Sequence, residues 1–213
     1  MYLTAEEGHA YLFPTFDDCL SCSTDTLLQY QVSVAKSAWP TPFFEQVHAG
    51  GTHFVVQTSH AQYPLYVYGD NRFGQLGTLS LTDSQCLHPL TFFSQEEGFP
   101  GIVKHVTCGD RHSVALTTDG DAYIWGWVEY IPGHLTGPVP VDIGDTPTDA
   151  IVTQTTCAGD TTMFLLQDGT VWMQGRNKVM LEDPLTSVRQ VHLPGKAVKI
   201  MSARWSYYSL IRH

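Results

Sequence analysis

VTCGDRHSVALTTDGDAYIWGW, from Val106 to Trp127, holds two short runs of alternating apolar residues joined by Asp119-Gly120. An Asp-Gly pair between such runs closes a tight β-hairpin, because glycine accepts the positive φ that the turn requires. The pattern returns without gaps in TCAGDTTMFLLQDGTVWMQG. There Cys157 falls on Cys108, Leu165 on Leu116, Asp168-Gly169 on Asp119-Gly120 and Gly175 on Gly126, an offset of 157 − 108 = 49 residues. An earlier stretch, VHAGGTHFVVQTSHAQYPLYVYGDNRFGQLG, sets Gly50 and His53 at 109 − 50 = 59 residues before Gly109 and His112. A period of this length marks a repeat architecture.

The two ends read as halves of a fourth copy. KIMSARWSYYSLIRH, Lys199 to His213, follows the inner-strand pattern, with Ala203 at the place of Gly109 and Leu210 at that of Leu116, and stops before any hairpin turn. LTAEEGHAYLF, Leu3 to Phe13, supplies a turn at Gly8 and a strand with Tyr11 on Tyr123 and Phe13 on Trp125. A ring of sheets hides its edge strands by closing on itself, and one blade shared between the N- and C-termini closes it. The expected fold is therefore all-β, a β-propeller of about four recognisable repeats. It forms one domain over 1–213, with repeat cores near 47–77, 106–127, 156–177, and 200–213 joined with 1–13. Val114, Leu116, Met163 and Leu165 alternate with polar or small residues as half-buried strands require, and neighbouring copies must cover their faces. The Pro- and Thr-rich stretches between copies, such as His134 to Asp149 and Pro14 to Gln46, hold further strands or surface loops.

Cys108 to Gly126 resembles the repeat of the regulator of chromosome condensation, C-G-x-x-H-[ST]-x-A-L-[ST]-x-D-G-x-[VLA]-Y-x-W-G-x-N, and Gly69 to Gly77 (GDNRFGQLG) carries the G-Q-L-G motif that often follows it. The copy at Cys157 departs from the pattern, with Thr161 in place of the His and Gln174 in place of the Trp. The resemblance implies a propeller, usually of seven blades, and the chain is similar in style to the small, divergent eukaryotic members. It also implies a non-enzymatic scaffold or adaptor whose partner is another protein; members of the family take a small GTPase, a small zinc protein or a histone-demethylase-like oxygenase. A rival implication is a guanine-nucleotide exchange factor for a Ran-like small GTPase. The exchange factor's turn favours an acidic residue just before the recurring His, whereas Thr52 and Arg111 stand there in this chain.

Composition narrows the classes further. With 43% apolar, 12% aromatic and 15% charged residues in 213, the chain can build a sizeable core. Acidic residues outnumber basic ones 21 to 11, for a net charge of −10, so phosphate backbones are repelled and direct nucleic-acid binding is not expected. The same charge favours a partner with a basic or mixed-charge surface. The N-terminus lacks a basic n-region, Glu6 and Glu7 interrupt a signal-peptide reading, and the apolar runs fall far short of the ~20 residues of a membrane span. Five scattered cysteines fit reduced thiols, hence a cytoplasmic or nuclear protein.

His53 and His112 recur at one repeat position and read as histidines hydrogen-bonded within their blades rather than as metal ligands. Cys19 and Cys22 form a C-x-x-C, but a structural zinc needs a second ligand pair that the sequence does not show; a metal- or thiol-dependent enzyme built on them is the rival from another class. With no G-x-S-x-G, Walker or H-E-x-x-H spacing, neither side-chain catalysis nor a cofactor or metal is expected. Tyr66, Tyr68, Tyr123, Trp125 and Trp172 fall at strand positions and read as packing. The candidate partner-binding residues lie in the turn before each recurring His: Thr52, Asp110, Arg111, Asp160, Arg204 and Trp205. These turns are expected to project from strand ends rather than pack between blades, and the resemblance places the exchange factor's GTPase contacts there. Trp127 and Tyr130, in the loop after the Trp-Gly position, form a second candidate surface on the outer rim.

Overall fold

The computed structural model describes residues 2–6, 9–13, 31–33, 43–59, 62–128, 133–143, 150–175, 185–203 and 206–212. The chain is an all-β propeller. Among the described residues, three four-stranded antiparallel sheets form complete blades. Blade I is β3 (Phe44–Ala49), β4 (His53–Thr58), β5 (Leu65–Gly69) and β6 (Ser84–Pro89). Blade II is β7 (Val103–Cys108), β8 (His112–Thr117), β9 (Ala122–Gly126) and β10 (Leu135–Pro140). Blade III is β11 (Val152–Ala158), β12 (Thr161–Leu166), β13 (Val171–Gly175) and β14 (Leu185–Val191). Two hairpins flank them, β1 (Tyr2–Glu6) with β2 (His9–Phe13) and β15 (Lys196–Ala203) with β16 (Ser206–Arg212). The first strands β3, β7, β11 and β15 adjoin one another in that order. The stretches between the repeat cores supply each blade's fourth strand.

The turns obey the sequence. Gly120 and Gly169 take φ of +92° and +81° at the tips of the β8–β9 and β12–β13 hairpins, and Asp168 Oδ1 accepts from the Thr170 backbone N–H at 2.8 Å to lock the second tip. All six residues of β8, and all six of β12, are buried. The alternation therefore does not mark half-buried strands, because each blade is covered on both sides. The larger residues Val114 and Leu116 face forward onto blade III with Val152, Phe164 and Leu166, while small Ala115 faces back onto Val55, Leu65 and Val67 of blade I. Met163, Leu165, Val171 and Met173 face forward in turn onto Ala197 and Ile200 of the C-terminal hairpin. At the other end Phe44, Val56, Tyr66 and Leu87 cluster with Val32, against which Leu12 packs.

The expectation of one blade shared between the chain ends fails. Residues 199–213 do not form a lone inner strand: β15 and β16 pair as a hairpin in register Ala203↔Ser206 to Lys196↔Arg212, filling both the first and second places of a blade. Strand β2 pairs with β1 and meets Gln31 at an isolated bridge with Tyr11, and among the described residues neither β1 nor β2 pairs with β16. The two ends lie in separate two-stranded sheets.

The blades also need glycine where their backbones meet. A Cβ on Gly109 would lie 2.2 Å from His112 Cε1 and 2.6 Å from the Gly159 carbonyl oxygen of the next blade; Gly50 stands in the same relation to His53 and Gly109. Cys108 and Cys157, just before these junctions, are half-buried residues whose thiols sit deep enough for burial to push them up to about 12 and 11. Replacing Gly109 with alanine is expected to cost about 2–3 kcal/mol by overpacking. Urea unfolding should show the loss, and an unchanged midpoint would mean that the blades do not meet through this residue.

Candidate protein-interaction face

The face with the most chemistry is built where the first-to-second-strand turns meet the loops that follow the third strands. Its foundation is buried. His53 Nε2 is hydrogen-bonded to Ser113 Oγ at 2.7 Å, and His112 Nε2 to Thr162 Oγ1 at 2.8 Å, each reaching from one blade to the hydroxyl of the next. The recurring histidines thus bond between blades, not within them as the sequence suggested, because the following blade places the [ST] of its own repeat against the ring. Burial holds both rings neutral, His53 down to about 3 and His112 to about 4. At the third junction Thr161 replaces the His, and Tyr207 fills the space: its hydroxyl donates to the Ala158 carbonyl at 2.5 Å and is also bonded to Thr161.

The GDNRFGQLG stretch staples blade I to blade II. Buried Asn71 donates to Thr78 Oγ1 and the Ser80 carbonyl and accepts the Leu76 N–H, while Trp125 Nε1 donates to the Gln75 carbonyl at 2.9 Å. Gly77, at φ +68°, lies flat on the Trp125 ring, where a Cβ would come within 2.8 Å of Cδ1. The same loop carries Asp70, Arg72 and Phe73 to the surface. Arg72 donates to Asp70 from Nη2 at 2.6 Å and from Nε at 3.0 Å, and these bonds hold the Asp70 carboxyl down to about 2. Thr52 Oγ1 donates to the same carboxylate at 3.3 Å.

On this base the predicted residues are brought together. Arg111 donates to Asp160 from Nη2 at 2.8 Å and from Nε at 3.3 Å, joining blade II to blade III. Its guanidinium lies 3.8 Å from the centroid of Trp127 and 5.2 Å from that of Phe73, which meets His134 edge-on at 5.6 Å. For Arg111 and Asp160 the expectation that these turns stand clear of blade packing does not hold: the pair spans a blade junction. The two separate candidate surfaces also merge, since Trp127 is half-buried under Arg111. Asp110 is partly buried, its N–H donating to the Gly159 carbonyl at 2.7 Å, and Thr52 is exposed. Tyr130, Arg204, Trp205, Cys19 and Cys22 lie outside the described residues. Asp70, Arg72, Phe73 and His134 were not singled out from sequence; the signal that finds the first three is the G-Q-L-G motif, whose preceding residues surface beside the turn, and no sequence signal marks His134.

Residues 103–128 match the family described as Regulator of chromosome condensation (RCC1) repeat. This stretch of the chain is a repeat of that type. The plant ultraviolet-B receptor UVR8 of Arabidopsis thaliana is 32% identical over 116 residues, covering 53% of this chain and 25% of the receptor. Human WBSCR16 superposes on 85% of the chain and 48% of its own length, with a TM-score of 0.68 and 21% identity. Prp20p of Saccharomyces cerevisiae superposes on 87% of the chain and 46% of its own length, with a TM-score of 0.61 and 14% identity. The chain therefore spans less than half the length of each of these proteins. The two solved structures carry the same propeller fold, and the repeat of residues 103–128 is the part that lays down the His112 junction and the Arg111 turn.

The buried imidazoles make stability depend on pH. The unfolded chain protonates them near 6.5, whereas the fold keeps His53 and His112 neutral down to about 3 and 4, so between these limits the unfolded state binds more protons. Stability is full above pH 6.5 and is lost as pH falls below it, by up to about 1.4 kcal/mol per pH unit for each ring. Urea midpoints at pH 7.5 and 5.0 should separate clearly, and His112→Gln should shrink the gap. Arg111→Lys, which keeps the charge but loses the fork and the ring stacking, should cost about 1 kcal/mol at pH 7.5. An unchanged midpoint there would leave the Asp160 and Trp127 contacts without energetic weight.

Proposed function

We propose that the chain is a non-enzymatic adaptor that binds one protein partner through the Thr52–Asp70–Arg72 and Phe73–Arg111–Trp127 face. The observation that carries this reading is the joining of Arg111, Trp127 and Phe73 in one partly exposed stack, held by buried inter-blade bonds. Aromatic and arginine side chains on a pre-ordered base are the usual anchors of protein interfaces, because little side-chain freedom is lost when they are covered. The charges on the face are mixed, Asp70, Asp110 and Asp160 beside Arg72 and Arg111, which suits a partner of mixed charge. Prp20p, which has the same fold, has been studied for its binding to Gsp1p and histones, and this supports a protein as the partner class. Free Cys86, Cys108 and Cys157 suit a reducing compartment, cytoplasm or nucleus.

Arg72 is 70% exposed in its side chain and Thr52 is exposed, so changing them spares the blade junctions. The double variant Thr52→Arg/Arg72→Glu is expected to melt like the wild type and to capture its partner from cell extract at least tenfold more weakly. Undiminished capture by the folded variant would remove this face from consideration. Acceleration of nucleotide release from a Ran-like GTPase by the chain would replace the adaptor reading with exchange.

A further inference from the structure

Leu79 is the one non-glycine with positive φ among the described residues, at +60°, and it is 82% exposed. Both features are unfavourable for a leucine: its Cβ crowds the left-handed backbone, and its apolar surface stays in water. The surroundings hold it there. Its N–H donates to the Thr136 carbonyl of blade II at 2.8 Å, and its Cδ2 lies against Gly137, where a Cβ would come within 2.7 Å. Strain that the fold enforces on an exposed apolar side chain points to a ligand site rather than to stability. Beside Leu79 a cleft of about 610 Å³ opens between β6 of blade I and Pro138 on β10 of blade II, a size that accommodates a few residues of a peptide. All its walls come from residues 76–97 and Pro138, in two adjoining blades, and it owes nothing to the chain ends.

The cleft has two distinct ends. Leu79 stands at one, since its partner Thr136 follows Leu135, which pairs with Gly126 at the close of β9. Phe92 stands at the other, its ring 5.6 Å from that of Tyr123 near the start of β9. Three residues of extended chain separate Tyr123 from Gly126, so an occupant spans roughly 10 Å between the ends. Phe92 is 40% exposed but steadied from behind by Phe93 at 5.0 Å and Phe99 at 5.8 Å. The ionisable residues that line the cleft are Asp83, Glu97 and His88, with no Lys or Arg among them. Asp83 already accepts the Asn71 N–H at 2.9 Å, whereas Glu97 is exposed and has no partner among the described residues.

We propose that this cleft binds an extended segment of a partner protein in which an arginine and an aliphatic residue lie a few residues apart on one face. The aliphatic side chain covers Leu79. The guanidinium lies flat on the Phe92 ring and donates sideways to Glu97, as Arg111 lies on Trp127 while donating to Asp160. Both ends of β6, Ser84 and Pro89, border the cleft, which suits an extended backbone, and the acidic lining excludes segments with Asp or Glu in place of the arginine. The site shares no residue with the Thr52–Arg111 face and does not depend on it.

The probe is the synthetic peptide GRTVTVTRG, which reads the same in both directions, so that either orientation of the segment presents valine and arginine on one face. Labelled with a fluorophore at pH 7.5, it should bind the full chain saturably at one to one. Lysine in place of both arginines should weaken binding at least threefold, because an ammonium cannot stack and fork together, and glutamate there should abolish it. Glu97→Lys, a change of exposed charge alone, should weaken binding at least tenfold. Leu79→Gly should melt no lower than the wild type, because glycine accepts this φ without strain, yet bind at least fivefold more weakly. An absence of saturable binding, equal binding of the glutamate peptide, or full binding by either variant overturns the proposal. So does loss of the peptide by the folded Thr52→Arg/Arg72→Glu variant, which would move its site to the Arg111 face.

Discussion

A histidine ring laid on a glycine and bonded to a hydroxyl of the next blade is the contact on which the molecule turns. It combines three demands in a few residues. The glycine must lack a side chain so that the ring can lie on its backbone, the ring must stay neutral, and the next blade must offer serine or threonine at the facing position. Gly50, His53 and Ser113 meet them at one junction, and Gly109, His112 and Thr162 at the next. A buried polar pair of this kind adds modest stability but leaves a costly unsatisfied group if the blades slide, so it selects one register out of the many that apolar faces alone would tolerate. The apolar clusters on either side then pack to that register.

The same contact explains why the candidate interaction face is well ordered. Arg111 immediately precedes His112, and Trp127 follows the third strand that pairs with it, so fixing the ring fixes the base of both side chains. The Arg111–Asp160 bridge is therefore at once part of a blade junction and part of the surface. A partner covering Trp127 would also shield this ion pair from solvent, coupling its own binding to the hold between blades II and III.

Much of the architecture could be read in the sequence, because each blade repeats a hairpin whose turn glycines and apolar positions recur at a nearly constant spacing. The second strands could not be read in full: alternation of Val114, Leu116 and Ala115 looks the same whether one face is wet or both are covered, and only the neighbouring blades decide. The shared terminal blade was misread because Ala203, Arg204, Trp205 and Ser206 lack the Asp-Gly signal of a hairpin tip, yet the Ala203↔Ser206 pairing makes the segment two strands. Of the candidate interaction residues, Arg111 and Asp160 were found from the turns before the recurring histidine position and Trp127 from the loop after the Trp-Gly position, while Phe73 was missed. Their meeting was not legible, since Phe73, Arg111, Trp127 and Asp160 come from three blades and no pattern along the chain records contacts across junctions.

The two deep thiols make each blade junction its own reporter. Cys108 and Cys157 sit one residue before Gly109 and Ala158, at successive seams, and burial keeps both protonated well above neutral pH. A sulfhydryl in that state reacts with an alkylating reagent only after the seam around it parts and water reaches the sulfur. Labelling kinetics resolved by mass spectrometry would accordingly follow two openings independently in the unmodified protein, that of the His53 seam between blades I and II at Cys108 and that of the His112 seam between blades II and III at Cys157. The pair of rates turns an ordinary alkylation experiment into a map of where this arc breathes.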